Sequence, residues 1–394
     1  MFLSLALIFI FGILGGIVFE KIRLPKLVWY ILLGILIGPS ILNIVDDSLI
    51  NISSYLRMTA LIIILTRSGL SLDINNLKKI GRPAVLMCFI PASFEILGIV
   101  FLGPILLDIS YLEALLLGSV IAAVSPAIIV PRMINLIEKG YGKKNSVAEL
   151  VLAGASCDDI FVIILFYSFK ELVSTNVLNF ASILQIPVSI ITGIILGIFV
   201  GLLLNVFIKK FKSNIIVNVI LMLGLSFAVV YLEEVLKPYF SISALLAIIV
   251  MGLVVSLSNK EEAIKIQKSY NSLWSGFEIL LFVLVGVATN LKYAVSSFGI
   301  MMLGIIAIAL IFRSLGVIIC LLNTKFDIKE KVFIILSYIP KATVQASIGA
   351  IALTEGLACG DVVLTGAVIS ILFTAPLGAI LIDNTYKKLL NVNI

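Results

Sequence analysis

Thirteen long apolar segments divide this chain from end to end, and each can cross the hydrocarbon core of a bilayer as a helix of about 20 residues. Of its 394 residues, 61% are hydrophobic and only 13% are charged, whereas soluble domains carry about 25% charged residues. Backbone polar groups at membrane depth need partners within the segment, so such segments are helical. The sequence predicts one all-α polytopic membrane protein over residues 1–394, with about 13 transmembrane helices. The predicted spans are 2–19, 26–44, 49–70, 83–107, 112–137, 147–169, 184–208, 214–232, 240–257, 272–290, 295–322, 332–354 and 362–382.

The basic residues between these segments are distributed very unevenly. One alternating set of loops carries twenty-one Lys and Arg residues, and the other set carries only Lys170, Lys237 and Lys292. By the positive-inside rule, this asymmetry predicts that the N-terminus lies outside and the C-terminus in the cytoplasm. The predicted location is the inner (plasma) membrane of the cell. The net charge of +6 lies in these loops, so it indicates contact with the bilayer surface and no nucleic-acid partner.

Residues that build cofactor, metal or disulfide sites are scarce. The chain has no His, and its four Cys show no paired spacing. We therefore expect no cofactor, no disulfide framework and no resident metal site. The lack of His also means that any transported proton has to be carried by Asp, Glu or Lys.

Two adjacent carboxylates, Asp158 and Asp159, lie in the middle of the apolar segment 147–169. A charged side chain at membrane depth costs roughly 2.5–3.5 kcal/mol on insertion scales, and such residues commonly mark ion or proton pathways. The pair therefore favours a function that needs charge, such as holding a cation, carrying a proton, or both. The alternative is a buried pair that only bonds neighbouring helices.

Among the further charged residues inside predicted spans, three lie near the predicted helix breaks or deep in a span. Glu95 and Arg313 fall near the middle of the fourth and eleventh spans. Each is unfavourable alone and tolerable as a pair, so we predict a buried ion pair, with a role in transport gating as the alternative. Lys341 follows Pro340 in the twelfth span, where its ammonium is expected to neutralise the partial charge of a broken helix.

Prolines predict interruptions in two spans. Pro126 and Pro131 lie five residues apart in the fifth span, and Pro340 lies in the twelfth. Proline removes a backbone donor, so all three are predicted helix breaks. Irregular backbone at membrane depth is tolerated only inside protein or beside a water-filled cavity. Interrupted spans in corresponding places of two halves point to a transporter site. The twelfth span comes seven spans after the fifth, and this odd offset gives the two opposite orientations and predicts an inverted repeat.

Three segments together resemble a known family: AAVSPA at 122–127, SCDDI at 156–160 and IPKATVQA at 339–346. The chain is similar to the monovalent cation/proton antiporter superfamily, and most similar to bacterial relatives of the subfamily B sodium/hydrogen exchangers. The resemblance covers nearly the whole membrane region. It implies that the two broken helices cross each other and that the protein forms a homodimer. It also implies that the protein is a transporter rather than an enzyme.

The resemblance also implies a division of labour. Residues 83–169 and 295–382 would form the ion-transporting core, and residues 1–70 and 184–290 the dimerisation scaffold. Asp159 would be the main ligand of a monovalent cation, Na+ or Li+, which it exchanges for H+. Asp158 would be its partner, and Ser125 would supply a neutral oxygen. Several electrogenic relatives have Lys at the position of Arg313, and an Arg hardly releases a proton.

Three other functions remain as alternatives. A K+/H+ antiporter would use the same site. A sodium-coupled organic-anion symporter could share the architecture, but it needs a larger polar cavity than the few polar span residues predict. An intramembrane aspartyl protease needs two aspartates on separate helices, whereas adjacent helical residues point about 100° apart.

Overall fold

The computed structural model describes residues 1–72, 80–175, 180–211, 213–236 and 239–391. These residues form α-helices and one short 3-10 helix, Lys143–Asn145, with no β-strand among them. The helices are α1 (Phe2–Lys21), α2 (Lys26–Ile37), α3 (Asp47–Ser71), α4 (Arg82–Met87), α5 (Ile90–Leu107), α6 (Tyr111–Ile121), α7 (Pro126–Glu138), α8 (Val147–Thr175), α9 (Phe180–Phe211), α10 (Ile215–Leu236), α11 (Ala244–Ser258), α12 (Lys260–Ala288), α13 (Leu291–Ala294), α14 (Ser297–Cys320), α15 (Ile328–Ser337), α16 (Thr343–Gly349), α17 (Ile351–Thr354) and α18 (Gly360–Leu389).

The predicted all-helical membrane architecture is confirmed, and every predicted span overlaps at least one of these helices. Within the described part of the chain, ten helical segments are long and apolar enough to cross a membrane. Three shorter apolar segments, 26–37, 244–258 and 343–354, accompany them. The number thirteen therefore stays a prediction. Four of the loop lysines used for the orientation, Lys78, Lys79, Lys212 and Lys237, lie outside the described residues.

Several helix boundaries differ from the predicted spans, and two of the differences have a clear cause in the sequence. Helix α12 begins at Lys260, twelve residues before the predicted start at 272, because its first turns are polar and escape a search for apolar residues. Helix α2 ends at Ile37, although the apolar segment continues to 44. Gly38 and Pro39 follow that end, and Gly38 has an extended backbone with φ −71° and ψ 179°, the conformation that a following proline favours.

The chain folds into two compact units. The first unit comprises residues 1–54, 73–169 and 279–394, and the second comprises 55–72 and 170–278. Helices α9 and α11 pack together in the second unit. A Cβ added at Gly197 of α9 would lie 2.7 Å from the Val250 Cβ, so the glycine permits this close approach. The predicted division into a transporting core and a dimerisation scaffold uses other residue ranges than these two units, and it stays a prediction.

In the first unit, α5 packs along α14, and α18 packs against α15 and α16. A Cβ added at Gly316 of α14 would lie 2.8 Å from the Pro91 Cα, so α5 and α14 touch through backbone at this point. Close helix approach through small residues is typical of membrane proteins, where van der Waals packing replaces the hydrophobic effect between helices. This packing holds Glu95 and Arg313 on facing helices.

Both predicted helix interruptions are present in the first unit. Residues 122–125 separate α6 from α7, and residues 338–342 separate α15 from α16. Pro126 occupies the first turn of α7, where its missing N–H is not needed. The predicted break at Pro131 is wrong, because α7 continues through this residue. A proline inside a helix removes only one i→i−4 hydrogen bond, and the bonds on either side keep the helix intact.

Candidate functional site

The two interrupted segments meet directly in the fold. The Ser125 amide donates a hydrogen bond to the Pro340 carbonyl over 2.8 Å. The Gln345 Nε2 donates to the carbonyls of Ile121 and Ala123 over 3.1 and 2.7 Å. Backbone groups that lost their helical partners are therefore satisfied by the opposite segment. The crossing of the two broken helices is held by hydrogen bonds.

Glu95, Arg313 and Lys341 form one buried charge cluster at this crossing. The Arg313 Nη1 lies 2.7 Å from the Glu95 Oε2, and the Lys341 Nζ lies 2.5 Å from the same oxygen. None of the three side chains is more than 1% exposed. The structure thus brings together the two residues expected to pair, and it adds Lys341 as a second cation on Glu95.

Arg313 also holds the ends of both broken helices. Its Nε donates to the Tyr338 carbonyl over 2.8 Å, and its Nη1 donates to the Ala122 carbonyl. These carbonyls lie just beyond the C-termini of α15 and α6, where a helix carries partial negative charge and lacks backbone donors. A single planar guanidinium with five donors can satisfy both ends and a carboxylate at once. Lysine has no such fork of donors.

Asp158 is tied into the same cluster from α8. Its Oδ2 accepts hydrogen bonds from the Val124 amide over 2.8 Å and from the Arg313 Nη2 over 3.0 Å. The side chain is fully buried. Asp158 therefore fastens α8 to the unwound segment before Ser125.

Asp159 is placed differently from its neighbour. Its side chain is 5% exposed, and its Oδ1 has no hydrogen-bond partner among the described residues. It interacts electrostatically with Asp158 and Arg313, both of which are already engaged with each other. The cluster thus holds three carboxyl groups, Glu95, Asp158 and Asp159, against two basic groups. One carboxyl is left without a counter-ion inside the described structure, and that carboxyl is Asp159.

Ser125 supplies a second unsatisfied oxygen. Its side chain is fully buried, and its Oγ makes no hydrogen bond within the part of the chain that is described, to Asp159 or to any other residue. Although Ser125 precedes the first residue of α7, its hydroxyl does not cap that helix. A buried hydroxyl without a hydrogen-bond partner is unfavourable unless another group or an ion binds its oxygen. Carboxylate and hydroxyl oxygens are the ligands that hard cations prefer.

Tyr338, Gln345 and Thr374 join the cluster without having been assigned roles from the sequence. The Thr374 Oγ1 accepts from the Lys341 amide over 2.9 Å, and the Arg313 guanidinium carbon lies 5.4 Å from the Tyr338 ring centroid. Gln345 lies within the segment 339–346 that carried the family resemblance. Its amide side chain inside a predicted membrane span was the available signal, because a buried polar side chain needs partners.

We expect Gln345→Met to destabilise the protein, because methionine keeps the length of the side chain and removes both donors. Leaving a buried carbonyl without a partner costs roughly 1–3 kcal/mol for each group. Thermal unfolding in detergent measures the change. Gln267→Met, at a half-buried position of α12, is the control and is expected to stay within about 0.5 kcal/mol of the native protein. Equal melting temperatures for the two variants would exclude a structural role for these bonds.

Comparison with known proteins gives consistent matches. The model of the transmembrane sodium/hydrogen exchanger family matches residues 5–387. Sodium/hydrogen exchanger 9B1 of Mus musculus is 34% identical over 405 residues, covering 98% of this chain and 71% of the relative. Sodium/hydrogen exchanger 9B2 of Homo sapiens is 30% identical over 404 residues, covering 98% and 75%.

A solved structure shares the fold. The sodium proton antiporter MjNhaP1 from Methanocaldococcus jannaschii, at pH 8, superposes with a TM-score of 0.84 at 23% identity. The superposition covers 98% of this chain and 97% of that chain.

Proposed function

Because this chain belongs to the sodium/hydrogen exchanger family, we propose that it is a secondary active antiporter that moves Na+ and H+ in opposite directions across a membrane. Li+ would be accepted in place of Na+. The observation that carries the proposal is the buried carboxyl of Asp159, which has no ion-pair partner among the described residues, beside a cluster whose other charges are paired. A single carboxyl of this kind is neutralised either by a proton or by a monovalent cation.

Asp159 is the shared binding group in this proposal. The Na+ ion takes oxygen ligands. The candidates are Asp159 Oδ1, Asp158 Oδ1 and Ser125 Oγ, which have no hydrogen-bond partner within the described part of the chain. Asp158 acts as the partner that anchors α8 through Arg313. Arg313 keeps its charge throughout the cycle, because a guanidinium does not deprotonate in proteins. In this proposal the exchanged proton is carried by the Asp159 carboxyl, and Lys341 stays paired with Glu95.

Alternating access follows from the same assignment. Residues 83–169 and 295–382 supply Glu95, Ser125, the Asp pair, Arg313 and Lys341, so they constitute the transporting core in this proposal. Residues 1–70 and 184–290 constitute the scaffold through which two copies form a homodimer. The core moves against the scaffold and carries the site from one side of the bilayer to the other. The protein lies in the plasma membrane with its N-terminus outside and its C-terminus in the cytoplasm, in keeping with the basic loops.

Flux in proteoliposomes tests this function. Purified protein is reconstituted with a pH-sensitive dye inside, and Na+, Li+, K+ or choline is added outside. We expect Na+ and Li+ to drive proton movement and choline to drive none. A response to K+ alone would establish the K+/H+ alternative, and dependence on an added organic anion would establish the symporter.

The apparent affinity for Na+ is expected to depend on pH. Since Na+ and H+ compete for the same carboxyl oxygens, the apparent KM for Na+ should rise as the pH falls, by up to about tenfold for each pH unit when one proton competes. The maximal rate should change less than the KM. Initial rates over a range of Na+ concentrations at several pH values measure both. A KM that stays constant while only the maximal rate changes would argue against direct competition.

A further inference from the structure

Two of the four cysteines meet beside the aspartate pair. Cys88 lies at the junction between α4 and α5, and Cys157 lies on α8 immediately before Asp158. The residues on either side of Cys88, Met87 and Phe89, pack against Gly154 and Phe161 of α8, so Cys88 and Cys157 lie on facing segments and their thiols interact. Both are only half-buried, whereas Cys320 and Cys359 are buried. This contact plays no part in the ion-pair cluster or in the proposed exchange.

Neighbouring residues show the same close approach. A Cβ added at Gly154 would lie 2.9 Å from the Met87 Cβ, and the rings of Phe89 and Phe161 are 6.2 Å apart. Gly154, Cys157 and Phe161 are three and four residues apart, so they share one face of α8. The α4–α5 junction therefore runs directly along this face, and the thiol contact belongs to a continuous interface.

The junction that carries Cys88 is a break between two helices. Phe89 has φ −143° and ψ −32°, outside the helical region, and Pro91 follows in the first turn of α5. The Cys88 thiol itself donates to the Ala84 carbonyl over 3.2 Å. A non-helical residue next to Cys88 gives its side chain room to adjust, which a disulfide with its narrow geometry requires.

We propose that Cys88 and Cys157 form a redox modification site, at which a hydroperoxide closes a disulfide that slows ion exchange. The Cys157 thiolate attacks one peroxide oxygen, the O–O bond breaks, and hydroxide leaves and takes up a proton, giving a sulfenic acid and water. The Cys88 sulfur then attacks the sulfenic sulfur, the S–O bond breaks, and the departing hydroxide takes up the proton that the Cys88 thiol gave up and leaves as a second water. Overall two thiols and one hydrogen peroxide give one disulfide and two waters.

The effect on exchange follows from where Cys157 lies and rests on the proposed function. An S–S bond is about 2.05 Å long, shorter than a hydrogen-bonded contact between sulfur atoms, so closure draws the face of α8 toward the junction. Asp158 follows Cys157 directly, and its bonds to Val124 and Arg313 are 2.8 and 3.0 Å long. Hydrogen bonds of this length are lost when the atoms separate beyond about 3.5 Å. The disulfide would therefore displace the Asp pair from its place in the cluster.

The test uses the full chain in proteoliposomes, with hydrogen peroxide as the probe. Linked peptides are identified by mass spectrometry, and Na+-driven proton flux is measured on the same samples. We expect a Cys88–Cys157 linkage and a fall in exchange of at least about tenfold, since misplacing a working group by about 1 Å can reduce a rate roughly 100-fold. Dithiothreitol should restore the flux.

Cys88→Ser is the decisive variant, because serine keeps a donor for the Ala84 carbonyl and cannot form the linkage. Its exchange should be close to native and resist hydrogen peroxide. Cys359→Ser, at the start of α18, is the matched control and should remain sensitive. A linkage of Cys88 to Cys320, the absence of any linkage, equal inhibition of Cys88→Ser, or a linkage that leaves exchange unchanged would each overturn the proposal. If the reduced protein shows no exchange at all, the proposed function fails, and the peptide map alone then decides the thiol site.

Discussion

Asp159→Asn is expected to abolish Na+-dependent proton flux while the protein stays folded. Asparagine keeps the size and shape of the side chain, but it can neither release a proton nor compensate a cation. Because Asp159 has no counter-ion among the described residues and its Oδ1 has no partner there, no structural bond of that oxygen is lost. We therefore expect a melting temperature equal to or above that of the native protein. Flux in proteoliposomes and thermal unfolding in detergent measure the two effects.

Binding of Na+, measured by thermal unfolding, gives a second test of the Asp159→Asn variant. A ligand that binds only the folded state stabilises it by about 2.7 kcal/mol at a hundred times its Kd. Native protein should therefore melt at a higher temperature in Na+ than in choline, and Asp159→Asn should show no difference. Asp361→Asn, an exposed aspartate in the first turn of α18, is the matched control and should behave as native. Exchange at the native rate by Asp159→Asn would exclude Asp159 as the carrier.

Removing Arg313 is expected to cause the largest loss of stability. Arg313→Leu leaves Asp158 without its ion pair and Glu95 with only Lys341, and removal of one partner from a buried pair typically costs about 3–5 kcal/mol. It also leaves the carbonyls of Ala122 and Tyr338 without their donor. We expect a strongly lowered melting temperature in detergent.

The double variant Glu95→Leu/Arg313→Leu should recover part of that stability. It leaves Lys341 and Asp158, a residual pair of opposite charge that already interacts electrostatically. Recovery is expected to be incomplete because the two helix-end carbonyls remain unsatisfied. Arg132→Leu is the control, since Arg132 pairs with Asp383 at 3.0 Å in a partly exposed position, where an ion pair contributes about 1 kcal/mol or less. Additive effects of the single Glu95 and Arg313 substitutions would refute energetic coupling within the cluster.

The helices themselves could be predicted from sequence because each depends on local properties. An apolar segment of sufficient length has to be helical in a bilayer, and every predicted span overlaps a helix. Pro126 and Pro340 indicated the two interruptions, because the missing backbone donor of a proline is also a local property. Pro131 did not interrupt α7, because the loss of one hydrogen bond does not decide whether a helix continues. The polar first turns of α12 were missed because the spans were predicted from runs of apolar residues, and a polar helix contains no such run.

The order of amino acids is enough to show which residues carry charge into the membrane, where two helices break, and that Glu95 and Arg313 need partners, because a lone charge in an apolar span is unfavourable wherever it packs. How those charges are shared depends on helix packing. Lys341 joins Arg313 on Glu95, Arg313 spans two helix ends, and Asp158 is engaged while the Asp159 Oδ1 has no partner among the described residues. Two adjacent aspartates are chemically equivalent in sequence. They become different because α8 packs so that Asp158 forms an ion pair with the Arg313 guanidinium, whereas no such ion pair involves Asp159 among the described residues.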